Sequence, residues 1–330
     1  MSMKVFITGG AGFIGSHIVD SLVVNDHQVT VYDNFSSGHI DNLKHLGNKI
    51  KIVRGDILDL DKLTHSAQGH DIISHQAAQL EIMLAQNHPE TDLASNTIGS
   101  LNVLQTASKN KIQHLIMASS ACVYGQPIYL PQDENHPTNP NWSYGVSKLA
   151  MEKYAQIYAK TQNINITLLR YGIVYGPREW YRRALTLFIK RAINKQSPVI
   201  FGTGRQFRDL IYVQDIANFH SICLNQKTTS NQTYNLGSGK KYSIRQLANK
   251  VCKLSGYKFK PITEPVSEGE CSRLIRGKTR NINDLSGMFL DITKAKKLGW
   301  KPQTNLADGI SQSISWYKKN KSRWNKIAGA

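Results

Sequence analysis

The chain of 330 residues has few cysteines, few acidic side chains and no long apolar run. Its four cysteines, Cys122, Cys223, Cys252 and Cys271, show no Cys-x-x-Cys spacing and no ligand-like pairing with histidines. We therefore expect neither a disulfide nor a metal site. No apolar run approaches the roughly 20 residues that span a bilayer, and residues 3–8 lead directly into a glycine loop, unlike a signal peptide. These absences predict a cytoplasmic protein without an integral membrane segment.

The scarcity of acidic residues leaves a net charge of +18, from 41 Lys and Arg against 23 Asp and Glu. Such a charge favours anionic partners: nucleotide sugars, nucleic acid or anionic membrane surfaces. The densest basic run lies at 318–326, where Trp316 and Trp324 predict one amphipathic terminal helix. A peripheral membrane contact by this tail is an open alternative. Because basic residues are otherwise spread along the chain, we interpret them as a solvated face and expect no nucleic-acid partner.

Short runs rich in Ile, Val and Leu alternate with helix-like segments through the first half of the chain. They predict strands at 5–8, 28–32, 50–54, 71–75, 112–118 and 164–170, with helices at 13–25, 91–110 and 143–161. This alternation is typical of an α/β fold with a Rossmann-type doubly wound parallel sheet. After residue 172 glycine and proline turns multiply, which predicts a smaller mixed α/β substrate-binding domain.

A glycine-rich loop, Gly9-Gly10-Ala11-Gly12-Phe13-Ile14-Gly15, follows the first predicted strand and opens a helix. Its glycines suit a tight turn, a close approach to pyrophosphate and tight packing of helix on sheet, with the helix N-terminus facing the phosphates. Asp33 ends the second strand, where a carboxylate accepts both ribose hydroxyls and repels a 2′-phosphate. The loop and Asp33 together predict NAD rather than NADP.

The third strand is followed by Gly55, Asp56 and Ile57. Asp56 is placed to bond the adenine edge, although an aspartate here is equally suited to cap the next helix.

Tyr144 and Lys148 lie one helical turn apart in the segment Trp142-Ser143-Tyr144-Gly145-Val146-Ser147-Lys148. A phenol with an ordinary pKa near 10 is a poor base at neutral pH, so a cation is needed to lower that pKa. Lys148 supplies one positive charge and an oxidised nicotinamide would add another. The phenolate then removes a proton from a hydroxyl group as hydride leaves the same carbon. The pattern indicates hydride-transfer chemistry, with Ser119 and Ser120 preceding it in the chain.

Taken together, these motifs resemble the extended short-chain dehydrogenase/reductase family, in particular its NAD-dependent nucleotide-sugar epimerases and dehydratases. Among these, the chain is most similar to UDP-hexose 4-epimerases. The resemblance covers nearly the whole chain and extends to the segments at 75–78, 119–125, 170–177, 208–215 and 234–239, and to Asn96.

The resemblance implies a role for each matching residue. Ser120, Tyr144 and Lys148 would be catalytic, and Ser120, Tyr144, Arg208 and Arg276 would contact the nucleotide sugar. The cofactor residues would be Gly9, Gly12, Phe13, Ile14, Gly15, Asp33, Asn34, Asp56, Ile57, Gln76, Ala77, Ala78, Asn96, Ser119, Tyr144, Lys148 and Tyr171.

The resemblance also implies how the chain is divided and assembled. Residues 1–170 plus about 208–236 would form the NAD-binding domain. About 171–207 and 237–330 would form the nucleotide-sugar-binding domain. A homodimer would form through the helices at 91–110 and 143–161.

The residues after Ser120 favour one reaction among those of the family. The 4,6-dehydratases carry an Asp-Glu pair there, and the related decarboxylases carry a Glu at the second position, but this chain has Ala121 and Cys122. A methyl group neither donates nor accepts a proton. The sequence therefore predicts an NAD-dependent 4-epimerase of a UDP-hexose, N-acetylhexosamine or uronate, acting through a transient 4-keto sugar.

Alternatives stay open at this stage. Cys122 matches a cysteine that shuttles protons in families that epimerise C3 and C5, although here we interpret it first as a packed residue. An atypical dehydration is a second alternative, and an RNA-binding protein on a dinucleotide-binding fold is the alternative outside enzymes. Ile173 stands where the family has an asparagine that contacts the sugar diphosphate, which leaves the pose of the substrate open.

Overall fold

The computed structural model describes residues 2–225, 227–256 and 260–323. The strands of its large sheet follow the apolar runs of the sequence, and buried Val, Ile and Leu side chains fill both faces of that sheet. The strands are β1 Lys4–Thr8, β2 Gln28–Asp33, β3 Ile50–Arg54, β4 Ile72–His75, β5 His114–Ser120, β6 Asn165–Tyr171, β7 Ile173–Tyr175, β8 Val199–Phe201, β9 Phe207–Tyr212, β10 Gln232–Leu236, β11 Lys241–Ser243 and β12 Ile262–Glu264.

The α-helices connect these strands. They are α1 Phe13–Val24, α2 Leu60–Ser66, α3 Ile82–Asn87, α4 Pro89–Asp92, α5 Gly99–Lys109, α6 Ser143–Thr161, α7 Ala184–Ile193, α8 Val213–Asn225, α9 Ile244–Ser255, α10 Thr293–Lys296 and α11 Leu306–Lys319.

Seven parallel strands form the large sheet in the order β10-β6-β5-β4-β1-β2-β3. Helices α1 and α8 pack on one face of this sheet, and α2, α5 and α6 pack on the other. The chain order crosses over beside β1, so the carboxyl ends of β1 and β4 meet at a crevice of the kind that binds ligands in doubly wound folds. The predicted Rossmann-type fold is confirmed.

The second half of the chain supplies a small mixed region, as the sequence predicted. A three-stranded sheet in the order β11-β9-β7 and a two-stranded sheet of β12 and β8 pack with α7, α9 and α11 around a separate apolar cluster. Helix α8 and strand β10 return to the large sheet. We retain as a proposal the division into residues 1–170 plus about 208–236 and about 171–207 plus 237–330.

The predicted strands and two of the three predicted helices match the structure within about two residues. The third, the continuous helix predicted at 91–110, is wrong in one respect: a widened π-helical turn, Leu93–Ile98, separates α4 from α5. Turns of this kind are frequent at functional sites, and this one carries Asn96. Of the predicted terminal helix, α11 contains Trp316, whereas Trp324 lies outside the described residues.

The described residues contain neither a membrane-spanning helix nor a metal-binding cluster. Within 2–225, 227–256 and 260–323, no helix is long and apolar enough to cross a membrane. The same residues contain no group of three or more His, Cys, Asp or Glu side chains that would hold a metal ion. The four cysteines are free thiols.

Candidate active site

A cavity of about 540 Å³ opens at the carboxyl edge of the large sheet. The structure brings most of the predicted site residues to its wall. They are Gly9, Gly12, Phe13, Ile14, Gly15, Asp33, Asn34, Asp56, Ile57, Gln76, Ala77, Ala78, Ser119, Ser120, Tyr144, Lys148 and Tyr171.

The glycine loop after β1 tolerates no side chain at two of its positions. Gly9 has φ of +70°, and a Cβ there would lie 2.5 Å from the Ala77 nitrogen. A Cβ on Gly15 would lie 2.2 Å from the Gly9 carbonyl oxygen. On Gly12 it would approach only that carbonyl, at 3.1 Å, among the described residues. The loop thus leaves an open cradle at the N-terminus of α1, which fits a pyrophosphate group.

Asp33 at the end of β2 is held in a fixed position beside this cradle. Its carboxylate accepts hydrogen bonds from the backbone N–H groups of Ala11 and Phe35, at 2.9 and 2.8 Å. Burial raises the pKa of Asp33, and these two N–H groups oppose that effect. A fixed carboxylate at this point fits the ribose of a dinucleotide without a 2′-phosphate.

Asp56 binds Asn34 rather than capping a helix. Its Oδ2 accepts from the Asn34 amide at 2.9 Å, and its Oδ1 accepts from the Leu58 backbone N–H at 2.9 Å. Asp59 instead caps α2, accepting from the N–H of Lys62. The helix-capping alternative for Asp56 is therefore wrong, and its place on the cavity wall supports the adenine-side interpretation.

Asn96 is not on the cavity wall. Its amide nitrogen donates to the Gln79 carbonyl at 2.9 Å and to buried Asp92 at 2.7 Å, and its amide oxygen accepts from the Gln79 N–H at 2.9 Å. Asn96 therefore fixes the end of the cavity-lining segment at 76–79 from behind. A direct cofactor contact by Asn96 stays a prediction.

Ser120, Tyr144 and Lys148 converge where β5 ends and α6 begins. Ser120 and Tyr144 line the same cavity, and the Lys148 ammonium donates to the Ala118 carbonyl oxygen at 2.9 Å. All three side chains are almost fully buried, at 9, 7 and 2 % exposure. Because α6 presents Tyr144 and Lys148 one turn apart, the two groups reach the same end of the cavity.

The protonation of these groups is set mainly by burial. Burial raises the pKa of Tyr144 well above its ordinary value, and the Ser120 hydroxyl and the charge of Arg183 oppose this. Burial lowers the pKa of Lys148 to about 8, against the raising effect of Asp92 and Glu152. The role of Lys148 in lowering the pKa of Tyr144 stays a prediction. Arg183 adds a positive charge that favours the phenolate.

A buried ion pair supports this arrangement from the sheet side. Glu152, one turn after Lys148 on α6, accepts from the Arg170 guanidinium at 2.9 and 2.7 Å and from the Ser119 hydroxyl at 2.5 Å. Glu152 and Arg170 are both buried. The pair fixes the end of β5 against α6, next to the reacting groups.

Cys122 lines the cavity beside Ser120. Its backbone N–H donates to the Ser120 hydroxyl at 3.1 Å. Burial raises the pKa of the Cys122 thiol. A neutral thiol is suited to packing beside Ser120.

Two predicted arginines are not on the cavity wall. Arg208 binds Asp284 at 2.7 Å and the Leu285 carbonyl at 2.9 Å. Arg276 offers its backbone carbonyl to Arg182 at 2.6 Å, and its side chain is exposed. Their contacts with a substrate stay predictions.

Other residues on the wall were not among the predicted site residues. They lie on the loop before α7 and on a distant loop, and they are Trp180, Tyr181, Arg182, Arg183, Lys278 and Asn281. Ile173, the departure noted in the sequence, also lines the cavity. The sequence features that could have indicated them are the three arginines at 178–183 and the basic segment at 277–283.

Comparison with known proteins matches this fold and site. Residues 5–237 match the model of the NAD dependent epimerase/dehydratase family. A Methanocaldococcus jannaschii protein, provisionally named a UDP-glucose 4-epimerase, is 38% identical over 96% of this chain and 99% of its own length. The UDP-glucose 4-epimerase of Mycolicibacterium smegmatis is 30% identical over 97% of this chain and all of its own length.

The structure of Thermotoga maritima UDP-glucose 4-epimerase with UDP-glucose is similar with a TM-score of 0.86 and 30% identity, covering 97% of this chain and 100% of that one. The family model spans well over half of the chain, and Asp33, Ser120, Tyr144 and Lys148 line one cavity with the glycine cradle. The chain therefore belongs to the NAD dependent epimerase/dehydratase family, and NAD is its cofactor.

Proposed function

We propose that the protein is a nucleotide-sugar 4-epimerase that acts on a UDP-hexose, N-acetylhexosamine or uronate. The observation that carries this proposal is the convergence of Ser120, Tyr144 and Lys148 in a cavity where Ala121 and Cys122 occupy the positions after Ser120. Neither side chain is a carboxylate. The wall thus has the acid/base for oxidation at C4 but lacks, beside Ser120, the carboxylate pair that supports elimination.

NAD, when bound, supplies the acceptor and donor of hydride at C4. The residues of the chain supply the proton chemistry. Tyr144 removes the proton from the C4 hydroxyl and returns it after the 4-keto sugar has turned over. Ser120 positions the same hydroxyl, and the buried ammonium of Lys148 contributes positive charge and holds the nicotinamide ribose.

Cofactor contacts follow from the same geometry. The cradle at Gly9, Gly12 and Gly15 would hold the pyrophosphate, and Asp33 would accept the ribose hydroxyls. Asn34, Asp56 and Ile57 would face the adenosine end of the cavity, and Tyr171 the nicotinamide end. The family comparison supports these contacts, because the UDP-glucose 4-epimerase of Thermus thermophilus, whose structure was solved with NAD, has a TM-score of 0.85 and 27% identity.

Two further predictions remain proposals. We infer a cytoplasmic homodimer, and the apolar side chains exposed on adjoining helices support its predicted interface. They are Leu93 and Ile98 on the π-helical turn, and Val146 and Ile157 on α6.

The test is to incubate the purified protein, without added cofactor, with UDP-, GDP- and dTDP-sugars in heavy water and identify products by NMR and mass spectrometry. We expect a sugar inverted at C4 that contains no solvent deuterium. Deuterium at C3 or C5, or loss of water, would contradict the proposal and make Cys122 a catalyst. Failure to convert any sugar would favour the alternative of an RNA-binding protein on a dinucleotide-binding fold.

A further inference from the structure

Three cationic side chains lie on the cavity wall. Arg182 and Arg183 lie on the loop before α7, and Lys278 lies on the loop after β12; all three line the cavity. Burial lowers the pKa of Lys278; the charges of Arg182 and Arg183 lower it further, whereas those of Glu81 and Asp284 raise it. The three cations therefore lie near one another, with the Glu81 carboxylate also on the wall. A group of like charges in a partly buried cavity is stabilised when an anion binds.

Arg182 organises the two loops. Its guanidinium donates to the carbonyl oxygens of Gly277 at 3.1 Å and Arg276 at 2.6 Å, directly before Lys278. Those bonds join the loop before α7 to the loop that carries Lys278. Arg183 and Lys278 are thereby held on the same wall.

Arg183 is held from behind by a buried carboxylate. Its Nε lies 3.2 Å from Oε1 of Glu179, whose side chain is only 4% exposed, whereas the Arg183 side chain is 35% exposed. The guanidinium also lies over the Tyr181 ring, 5.2 Å from its centroid. Such packing fixes the plane of the guanidinium, which favours bidentate recognition of a planar anion.

The single negative charge of Glu179 does not neutralise the two cations around it. The buried ammonium of Lys190 also acts on Glu179, so that two cations face one carboxylate. Within the described residues, Glu179 is the one carboxylate that forms an ion pair with Arg183. A guanidinium has five N–H donors, and its Nη groups remain available to a ligand in the cavity.

The position of Arg183 distinguishes between two anions that a nucleotide sugar could present. Arg183 lines the same cavity as Cys122 and Tyr144, and it is near enough for its charge to act on both. In the proposed function Tyr144 acts on the C4 hydroxyl. The substituent on C5 is adjacent to that hydroxyl, whereas the diphosphate is attached to C1 across the ring.

We propose that Arg183 binds a carboxylate on C5 of the sugar, so that the preferred substrate is a nucleotide-linked uronic acid. This inference rests on the proposed function for the orientation of the ring. Lys278 contributes a second positive charge, and Glu179 is the positioning residue that orients Arg183.

Binding is tested separately from turnover. Tyr144→Phe protein loaded with NAD is titrated calorimetrically with UDP-glucuronate and UDP-glucose, which differ by a carboxylate at C5. We expect UDP-glucuronate to bind about 10- to 100-fold more tightly, the value of one charge-assisted hydrogen-bonded pair. Adding Arg183→Gln should remove that preference, and Arg183→Lys should retain part of it. Lys253→Gln, which removes an exposed charge on α9, is the control and should retain all of it.

Turnover provides the second arm. Arg183→Gln in the otherwise unchanged protein should lower the ratio of kcat/KM for UDP-glucuronate to that for UDP-glucose by a similar factor. The ratio cancels any common effect of the mutation on the Tyr144 phenol. A preference in binding without C4 inversion would refute the proposed function and retain the carboxylate site. Equal affinity for the two sugars, affinity for neither, or a preference unchanged by Arg183→Gln would overturn the inference.

Discussion

At the scale of single residues, the site combines a phenol that burial keeps protonated with cations that act against that burial. The pKa of Tyr144 is raised because the phenolate is poorly solvated, while Ser120 and Arg183 stabilise the charged form. The pKa of Lys148 is lowered by the same burial, to about 8. Opposite shifts in neighbouring groups are typical of acid/base sites. The free energy of the phenolate therefore depends on the charges that surround it.

Removing the Tyr144 hydroxyl should abolish proton transfer and leave the fold intact. We expect Tyr144→Phe to lower kcat by about 10²- to 10⁴-fold, the usual contribution of a positioned acid/base. The measurement is the steady-state rate of C4 inversion, with NAD content determined on the same samples. Tyr154→Phe is the matched control, because Tyr154 is an exposed tyrosine on the same helix. A Tyr144→Phe protein with unchanged kcat would show that another group transfers the proton.

Replacing Glu152 should destabilise the protein because it leaves a buried cation unpaired. Glu152→Ala leaves the Arg170 guanidinium without its carboxylate, and we expect a loss of about 3–5 kcal/mol in the free energy of unfolding. Urea unfolding measures this loss, with exposed Glu90→Ala as control. A change below about 1 kcal/mol would indicate that water or another residue compensates Arg170.

At the scale of elements, two glycines of the loop between β1 and α1 have different roles: Gly15 is needed for packing of the helix, and Gly12 leaves room for the cofactor. A Cβ at Gly15 would clash with the Gly9 carbonyl oxygen at 2.2 Å, whereas a Cβ at Gly12 would approach it only to 3.1 Å and otherwise reach no described atom within 4 Å. The first contact opposes the packing of α1 on the sheet. The second leaves the protein fold in place and projects a methyl group toward the cradle.

Gly12→Ala and Gly15→Ala should therefore differ in their effects on stability and on NAD affinity. We expect Gly12→Ala to keep its unfolding free energy within about 1 kcal/mol and to lose at least tenfold in NAD affinity. Gly15→Ala should lose both stability and NAD binding. Thermal unfolding and fluorescence titration with NAD provide the two readouts. Tight NAD binding by Gly12→Ala would show that the pyrophosphate lies elsewhere.

The elements also show which features the sequence could predict. Six of the seven strands of the large sheet were predictable, because each is rich in Ile, Val or Leu and bounded by turns, and Gly9 to Gly15 have a fixed relation to β1 and α1. The seventh, β10, has the sequence Gln-Thr-Tyr-Asn-Leu and was not predicted. The roles expected of Arg208 and Arg276 depended on which partners those side chains found, and Arg208 is paired with Asp284. Arg183 and Lys278 were not among the predicted site residues, because they line the cavity with Tyr144 only through the packing of two distant loops.

At the scale of the whole molecule, buried histidines make the stability depend on pH. Burial lowers the pKa of His17 and His114 to about 4 and of His75 and His220 to about 3. These groups are neutral in the folded state, but in the unfolded chain they bind protons below about pH 6.5. Stability is therefore complete above that pH and is lost as pH falls toward 4. Asp209, whose pKa is raised to about 6, acts in the opposite direction.

Each of these four histidines should lower the free energy of unfolding by up to about 1.4 kcal/mol per pH unit as pH falls below 6.5, because the unfolded chain binds one more proton. Carboxyls whose pKa burial raises, such as Glu179 and Asp215, oppose this together with Asp209. Urea unfolding at a series of pH values measures the dependence, and His114→Gln should reduce it by up to about 1.4 kcal/mol per pH unit. A pH dependence that His114→Gln leaves unchanged would contradict the burial of this histidine.

The whole molecule is a dinucleotide-binding fold, and under the proposed function Tyr144 takes the proton as hydride leaves C4, so that the same hydride returns to C4. The most direct measurement is the fate of deuterium placed at C4 of a UDP-sugar substrate, followed by NMR and mass spectrometry in ordinary water. The account predicts that deuterium remains at C4 in both epimers. Loss of the deuterium to solvent, or conversion without inversion at C4, would contradict it.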